Sequence, residues 1–202
     1  MPNSAWTRGL IFLAAGIWFG LAFILGIPLN ETWLRLVGGV ASIVVLLLLA
    51  FDLFAWRWFP VWLVKRPNIR GTWKATLRSN WTDTDGKPVE KDCYVVVHQS
   101  YSKLCIEVYF AISDSVSTSA NIIQGEGRST LWFTYRSEGH ALEQEGNPPH
   151  RGAMMLYISL QGRPGLAGDY WTERETKGRI ETSGRSKKLA GSFQAAKELN
   201  YV

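Results

Sequence analysis

Cysteine is nearly absent from the chain: two in 202 residues, Cys93 and Cys105. Small disulfide scaffolds carry four or more, so that class is excluded, and two unpaired thiols suit a reducing compartment. Histidine is as sparse. His98, His140 and His150 stand apart from one another and from both cysteines, and no spacing among them suits zinc. No serine, threonine or cysteine sits in a nucleophile motif. Gly125-Glu126-Gly127 has no helix after it, so it is not a phosphate loop. Asp83-Thr84-Asp85-Gly86 lacks the distal glutamate of a calcium loop and reads as a hairpin turn. The residues therefore point to a binding protein, not an enzyme, with no metal and no cofactor.

Charge is missing too, from two long stretches. No ionisable side chain occurs between Gly9 and Asn30, nor between Leu36 and Phe51. A helix of about 20 uncharged residues crosses roughly 30 Å of hydrocarbon. The second run reaches that length if Asp52 and Arg57 lie at headgroup level. The first run exceeds the roughly 7–15 residue core of a signal peptide, and Ala14-Ala15 lies within it, so it reads as a retained span. Pro28 ends the first helix, and Asn30 or Thr32 can cap the second. Residues 1–66 thus form a hairpin anchor with helices over about 10–27 and 34–56. Trp6, Trp33, Trp56, Trp58 and Trp62 flank the runs as an interfacial belt, and residues 57–67 read as an interfacial elbow. The flanks carry Arg8, Arg57, Lys65 and Arg66 against Arg35 in the loop. That bias orients both termini and the following domain to the cytoplasm. Gly16 and Gly20, then Gly38 and Ser42, recur at spacing four. Such pairs permit close helix packing, within the hairpin or between protomers.

From residue 67 to 202 the period changes to two. Trp73, Ala75 and Leu77 alternate with Thr72, Lys74 and Thr76. Further strand-like runs cover 92–99, 104–112, 116–124, 130–136, 153–161, 166–174 and 176–182, separated by turn residues. A polar loop is expected over 137–151, and a short helix within 192–200. Eight strands joined mostly by hairpins, with no helical period among them, close into an antiparallel up-and-down barrel of lipocalin-like type. Of the net charge of +5, +1 belongs to residues 1–64 and +4 to residues 65–202, and it forms no basic stripe of the kind DNA or RNA requires.

Alternation assigns the interior. Trp73, Val97, Ile106, Val108, Phe110, Leu131 and Phe133 point inward. Leu166, Gly168, Tyr170, Thr172 and Arg174 share one face, and Gln99 and Tyr135 end inward series. An inward arginine needs an anion. Arg174 either sits in an open mouth, pairs with Glu143 or Glu145 of the long loop, or meets an anionic ligand.

Two apolar helices followed by Asn68-Ile69-Arg70-Gly71-Thr72-Trp73-Lys74, the run Ser113–Ser119, His150-Arg151-Gly152 and the stretch 166–178 resemble the two-transmembrane β-strand-rich effectors of bacterial CBASS anti-phage systems. The Gly-Thr-Trp piece also resembles lipocalins, although Arg179 on the last strand falls on the outward parity. The resemblance implies a receptor for a cyclic oligonucleotide, a cyclic dinucleotide first of all, made by a cognate nucleotidyltransferase. On binding, protomers self-associate and their helices disrupt the inner-membrane bilayer. Under that reading the bases lie against Tyr135, Tyr170 or Trp132. The phosphates lie near Arg174 and the hydroxyls from Ser115 to Ser119, with Ser117 and Ser119 chief among them. Thr172 and Gln99 complete the set. The rival is a membrane-tethered carrier of an apolar molecule.

Overall fold

The computed structural model describes residues 31–64, 66–82, 86–125, 127–141, 147–160 and 164–202, with Gly16, Ile17, Gly20, Phe23, Ile24 and Gly26; the side chains at 31–41, 61 and 62 lie outside that description. The chain divides into two units, Met1–Phe51 and Asp52–Val202.

In the first unit, Gly16, Ile17, Gly20, Phe23 and Ile24 are helical, and the rest of the expected first span lies outside the described residues. Gly26 takes φ 64°, a left-handed turn open to glycine, with its N–H donating to the Phe23 carbonyl. Helix α1 runs Glu31–Leu53, starting and ending earlier than the expected 34–56. Among the described residues no helix is long and apolar enough to cross a membrane, the side chains on α1 being described from residue 42 onward. A Cβ added at Gly16 or Gly20 meets nothing within 4 Å. Ser42 is exposed, and the surroundings of the Gly38 side-chain position lie outside the described residues.

The second unit is a closed barrel of eight antiparallel strands in sequence order. They are β1 (Gly71–Thr82), β2 (Pro88–Gln99), β3 (Leu104–Tyr109), β4 (Ser113–Gln124), β5 (Ser129–Gly139), β6 (His150–Ser159), β7 (Gly165–Thr172) and β8 (Lys177–Ser186). Each pairs with the next, and β8 returns to β1. Closure gives every strand two neighbours. The register stacks inward positions in layers. Leu131 pairs with Leu156, Leu156 with Gly168, Gly168 with Ile180, and Ile180 with Leu77. Gly168 is required at this level, because a Cβ there would come within 1.9 Å of the Met155 carbonyl oxygen. Trp73, Val95, Val97, Ile106, Val108, Leu131, Leu156, Leu166 and Ile180 are buried in one continuous core, as alternation expects. Each such side chain contributes about 1.5–3 kcal/mol on burial. Phe110 packs half-buried against this core from the turn after β3.

Among the described residues the register shifts at three places, between Arg78 and Thr82 where β1 meets β2 and at two bulges that bear on the interior. One falls between Ser117 and Ser119 on β4. The other sets Ser183 as an extra residue opposite the Lys74–Ala75 step of β1. Beyond Ser183 the parity of β8 reverses, which turns Arg185 inward with its guanidinium 4.9 Å from the centre of the Trp73 ring. Arg185, not the outward Arg179, therefore supplies the cation beside the barrel tryptophan. The β3–β4 ladder is short: Glu107–Val116, Val108–Ser115 and Tyr109–Asp114.

The barrel end where β1 begins is closed by residues 67–70. Ile69 N–H donates to Gln99 Oε1 and Gln99 Nε2 donates to the Pro67 carbonyl, both at 2.9 Å. Trp73 Nε1 donates to the Ile69 carbonyl at 3.0 Å. At the same end Asp52 meets the β2–β3 turn. Tyr101 N–H donates to the Asp52 carbonyl at 2.9 Å, and Ser102 N–H to Asp52 Oδ1 at 2.7 Å. A 3-10 turn, Ala55–Trp58, follows, and α2 spans Val61–Val64. Trp56 is 1% exposed and packs on Tyr101, which takes it out of the expected belt, whereas Trp58 is 80% exposed. Helix α3, Phe193–Lys197, is capped by Ser192 and covers the outer face of β2, where Tyr94 meets Phe193 and Tyr201.

Candidate functional site

At the opposite end lie the turns β1–β2, β3–β4, β5–β6 and β7–β8. Here the interior changes character. Below it is apolar; at this end Ser113, Ser115 and Ser137 are buried on the inner face, and Ser115 pairs across the ladder with Ser137. Two aromatic rings stand beside them. Tyr135 is inward and nearly buried, its ring over Gly152, where a Cβ would come within 2.5 Å of the phenol carbon and oxygen. Tyr170 leans in the same way over Gly178, where a Cβ would come within 2.8 Å of the ring. Each ring thus occupies space that glycine leaves on the adjoining strand.

Tyr170 lies close enough to act on the Tyr135 phenol. Burial raises the pKa of the Tyr135 hydroxyl, and Tyr170 nearby adds to the rise. Burial raises that of Tyr170 as well, opposed by a hydrogen bond with Ser79. Both remain neutral at pH 7 and can donate a hydrogen bond.

Arg174 does not sit on the inner face of a strand. β7 stops at Thr172, two residues before the expected end, and Arg174 is exposed in the turn that follows. The reversal is made by Glu175 at φ 63° and by Thr172 Oγ1, which lies 2.6 Å from Thr176 Oγ1. The Arg174 guanidinium reaches the end of the β5–β6 loop, donating to Asn147 Oδ1 at 3.2 Å and to the Pro148 carbonyl. Glu143 and Glu145, its alternative partners, lie outside the described residues. His150 beside it donates from Nδ1 to the Pro148 carbonyl at 3.2 Å. Its pKa is lowered by burial first and by Arg174 further, against the Pro148 contact.

The structure therefore brings together Tyr135, Tyr170, Thr172 and Arg174 at one rim and separates four others from it. Gln99 is at the closed end with both halves of its amide engaged. Trp132 is on the outer wall, edge-on to Trp171 at 6.0 Å, because it alternates with inward Leu131 and Phe133. Ser117 is spent on the wall, accepting from Ile106 N–H at 2.9 Å where the β3–β4 ladder ends. Ser119 is exposed, since the bulge after Ser117 reverses the parity of β4. Sequence reasoning missed Ser113 and Ser137. Strict alternation of Ser113 and Ser115 with Asp114 and Val116 was the available signal. Among the described residues no group of histidine, cysteine and carboxylate side chains could hold a metal ion.

Residues 64–183 match the family model described as Cap15, cyclic dinucleotide receptor domain. The chain belongs to the Cap15 family. It is 30% identical over 159 residues to CD-NTase-associated protein 15 of Staphylococcus schleiferi, covering 78% of this chain and 81% of that protein. The Cap15 match takes in β1 to β7 and most of β8, so it includes every residue of the mouth named above. The resemblance to CBASS effectors drawn from the residues leads to the same family.

Proposed function

We propose that the barrel mouth binds a cyclic dinucleotide and that the chain acts as a non-catalytic membrane effector of a CBASS system. The observation that carries this reading is the mouth itself: two neutral tyrosines, three buried serines and a rim arginine above an otherwise apolar barrel, within the region matched as a cyclic dinucleotide receptor domain. A cyclic dinucleotide presents two flat bases and two anionic phosphodiesters. Stacking of a base on an aromatic ring is worth about 1–3 kcal/mol. Hydroxyls and a guanidinium satisfy phosphate oxygens. Tyr135 and Tyr170 take the bases; Arg174 with Ser113, Ser115 and Ser137 takes the phosphates, in place of Ser117 and Ser119.

An interior filled by Trp73, Leu131, Leu156, Leu166 and Ile180 argues against a carrier that holds an apolar molecule deep in the barrel. We further infer that residues 1–66 insert as a two-helix anchor in the bacterial inner membrane, with the barrel of 67–202 on the cytoplasmic side. The uncharged runs and the Lys/Arg bias support that placement. Messenger binding then favours an associated state of several protomers, with Gly16, Gly20, Gly38 and Ser42 available for helix packing, and this state breaches the bilayer.

The test is calorimetric titration of the full chain in detergent with cyclic di- and trinucleotides, paired with dye entry into cells. Saturable heat with a cyclic dinucleotide, and entry of a membrane-impermeant dye only when a cognate nucleotidyltransferase is co-expressed, are expected. No heat with any cyclic nucleotide would overturn the receptor reading; heat without dye entry would overturn the effector reading alone.

A further inference from the structure

The closed end of the barrel carries a second concentration of chemistry, unused by the mouth. Arg57, Arg66, Arg70 and Arg185 all lie on segments at this end. Arg185 Nη2 donates to the Arg70 carbonyl at 2.8 Å, Arg70 acts electrostatically on Arg57, and the Arg66 guanidinium lies 5.9 Å from the centre of the Tyr101 ring. Three of these guanidinium groups, those of Arg57, Arg66 and Arg185, hold an Nε that is shielded from solvent and has no hydrogen-bond partner; so does the Trp56 indole N–H. The carboxylate that reaches the group is Asp52, which acts on Arg66 but already accepts from Ser102. Arg70 and Arg57 repel one another, and shielded donors without partners are costly; a native protein offsets such a cost with a water, an ion or a ligand.

We propose that this arginine cluster binds the phosphate of an anionic phospholipid headgroup. Arg57, Arg66 and Arg70 call for an anion, Arg185 being held over Trp73 inside the barrel, and the neighbouring surface says which. Phe54, Trp58, Phe59 and Leu63, interleaved with Arg57 and followed by Arg66, are all exposed apolar side chains. A free phosphate gains nothing from them; a lipid brings a phosphate to the guanidinium groups and acyl chains to the rings. Burial lowers the proton affinity of Arg57, Arg66 and Arg185 without neutralising them at any physiological pH, so the charge persists. The site fixes how deep the barrel sits against the bilayer. This inference rests on the reading of residues 1–66 as a membrane anchor.

The test uses the full chain in detergent, with native mass spectrometry of bound lipid. Palmitoyl-oleoyl phosphatidylglycerol, palmitoyl-oleoyl phosphatidylcholine and inorganic phosphate are the probes. Phosphatidylglycerol should be retained at least about 30-fold over phosphatidylcholine. Arg57→Gln with Arg66→Gln should remove most of that preference, at about fivefold per guanidinium or roughly 25-fold for the pair. Arg57→Lys with Arg66→Lys, which keeps charge and lets folding be checked by melting, should retain an intermediate preference. Equal retention of the two lipids, or a preference that survives both glutamines, overturns the proposal. Displacement of phosphatidylglycerol by equimolar inorganic phosphate overturns the lipid as the source of the anion. Release of the wild-type chain from membranes by a high-salt carbonate wash sinks the anchor reading instead, so the two failures are distinguishable.

Discussion

Replacing Gln99 with leucine separates a structural role from a recognition role. In the wild type the amide joins two buried backbone groups, the Ile69 N–H and the Pro67 carbonyl, at 2.9 Å each. Both residues are buried, so neither group gains water when the amide is removed. A buried backbone group left without a partner costs about 1–3 kcal/mol. Two such groups cost about 2–6 kcal/mol, and the gain from replacing a buried amide with an isobutyl group returns about 1–2 kcal/mol of it. The net loss is about 1–4 kcal/mol. For a unit the size of Asp52–Val202 this lowers the melting temperature by about 2–16 °C. Because Gln99 lies at the end of the barrel away from Tyr135 and Arg174, cyclic dinucleotide affinity below the melting range should stay within about threefold. The assay is thermal melting of the full chain in detergent, followed by calorimetric titration at 20 °C. A variant that melts with the wild type yet loses the ligand would refute the reasoning and return Gln99 to the recognition set.

Arg174→Ala should weaken cyclic dinucleotide binding about tenfold, the lower end for a charge-assisted contact because the side chain is exposed, and shift the melting temperature by no more than about 2 °C. In the same variant the His150 ring should titrate at higher pH by NMR, since a cation that lowers its pKa has gone. A depressed histidine stabilises the fold above the ordinary imidazole pKa of about 6.5, and that contribution is lost as the pH falls through its lower folded value. Melting temperatures of wild type and His150→Asn should therefore differ by a constant amount above pH 7 and converge on acidification below 6.5. Gly152→Ala places a methyl group 2.5 Å from the Tyr135 phenol and 2.8 Å from the Trp171 carbonyl oxygen; overpacking should cost about 1–3 kcal/mol in urea titration and reduce ligand binding with it. Gly127→Ala, where a Cβ meets nothing within 4 Å, is the matched control and should change neither.

The eight strands were legible because alternation and turn residues agree along residues 71–186, and the Ser192 cap announced α3. Recognition residues were harder, for two physical reasons. Alternation is a local count, and a single extra residue reverses everything after it: the bulge at Ser117 moved Ser119 to the outside, and Ser183 brought Arg185 inside while Arg179 faced out. Strand length was the second. Extending β7 by two residues placed Arg174 on an inner face, where the chain instead turns at Glu175. Ser137 was given to the long loop, although β5 continues to Gly139. Gln99 had the right parity, but parity carries no information on which end of a barrel a strand approaches. Asp52 and Trp56 read as interfacial from composition; their partners, Ser102 and Tyr101, are almost fifty residues away and invisible to any local pattern.

The brevity of the β3–β4 ladder has a consequence of its own. Three residue pairs, with Ser117 Oγ standing in for a fourth, hold a joint that every other pair of neighbouring strands makes longer. A cylinder under stress parts along its least stitched line, and this one runs beside Ser113 and Ser115 at its upper margin. Amide hydrogens of Ile106 and Val108 should exchange with solvent sooner than those of β5 and β6. If the barrel breathes to admit a ring as large as a cyclic dinucleotide, it opens there.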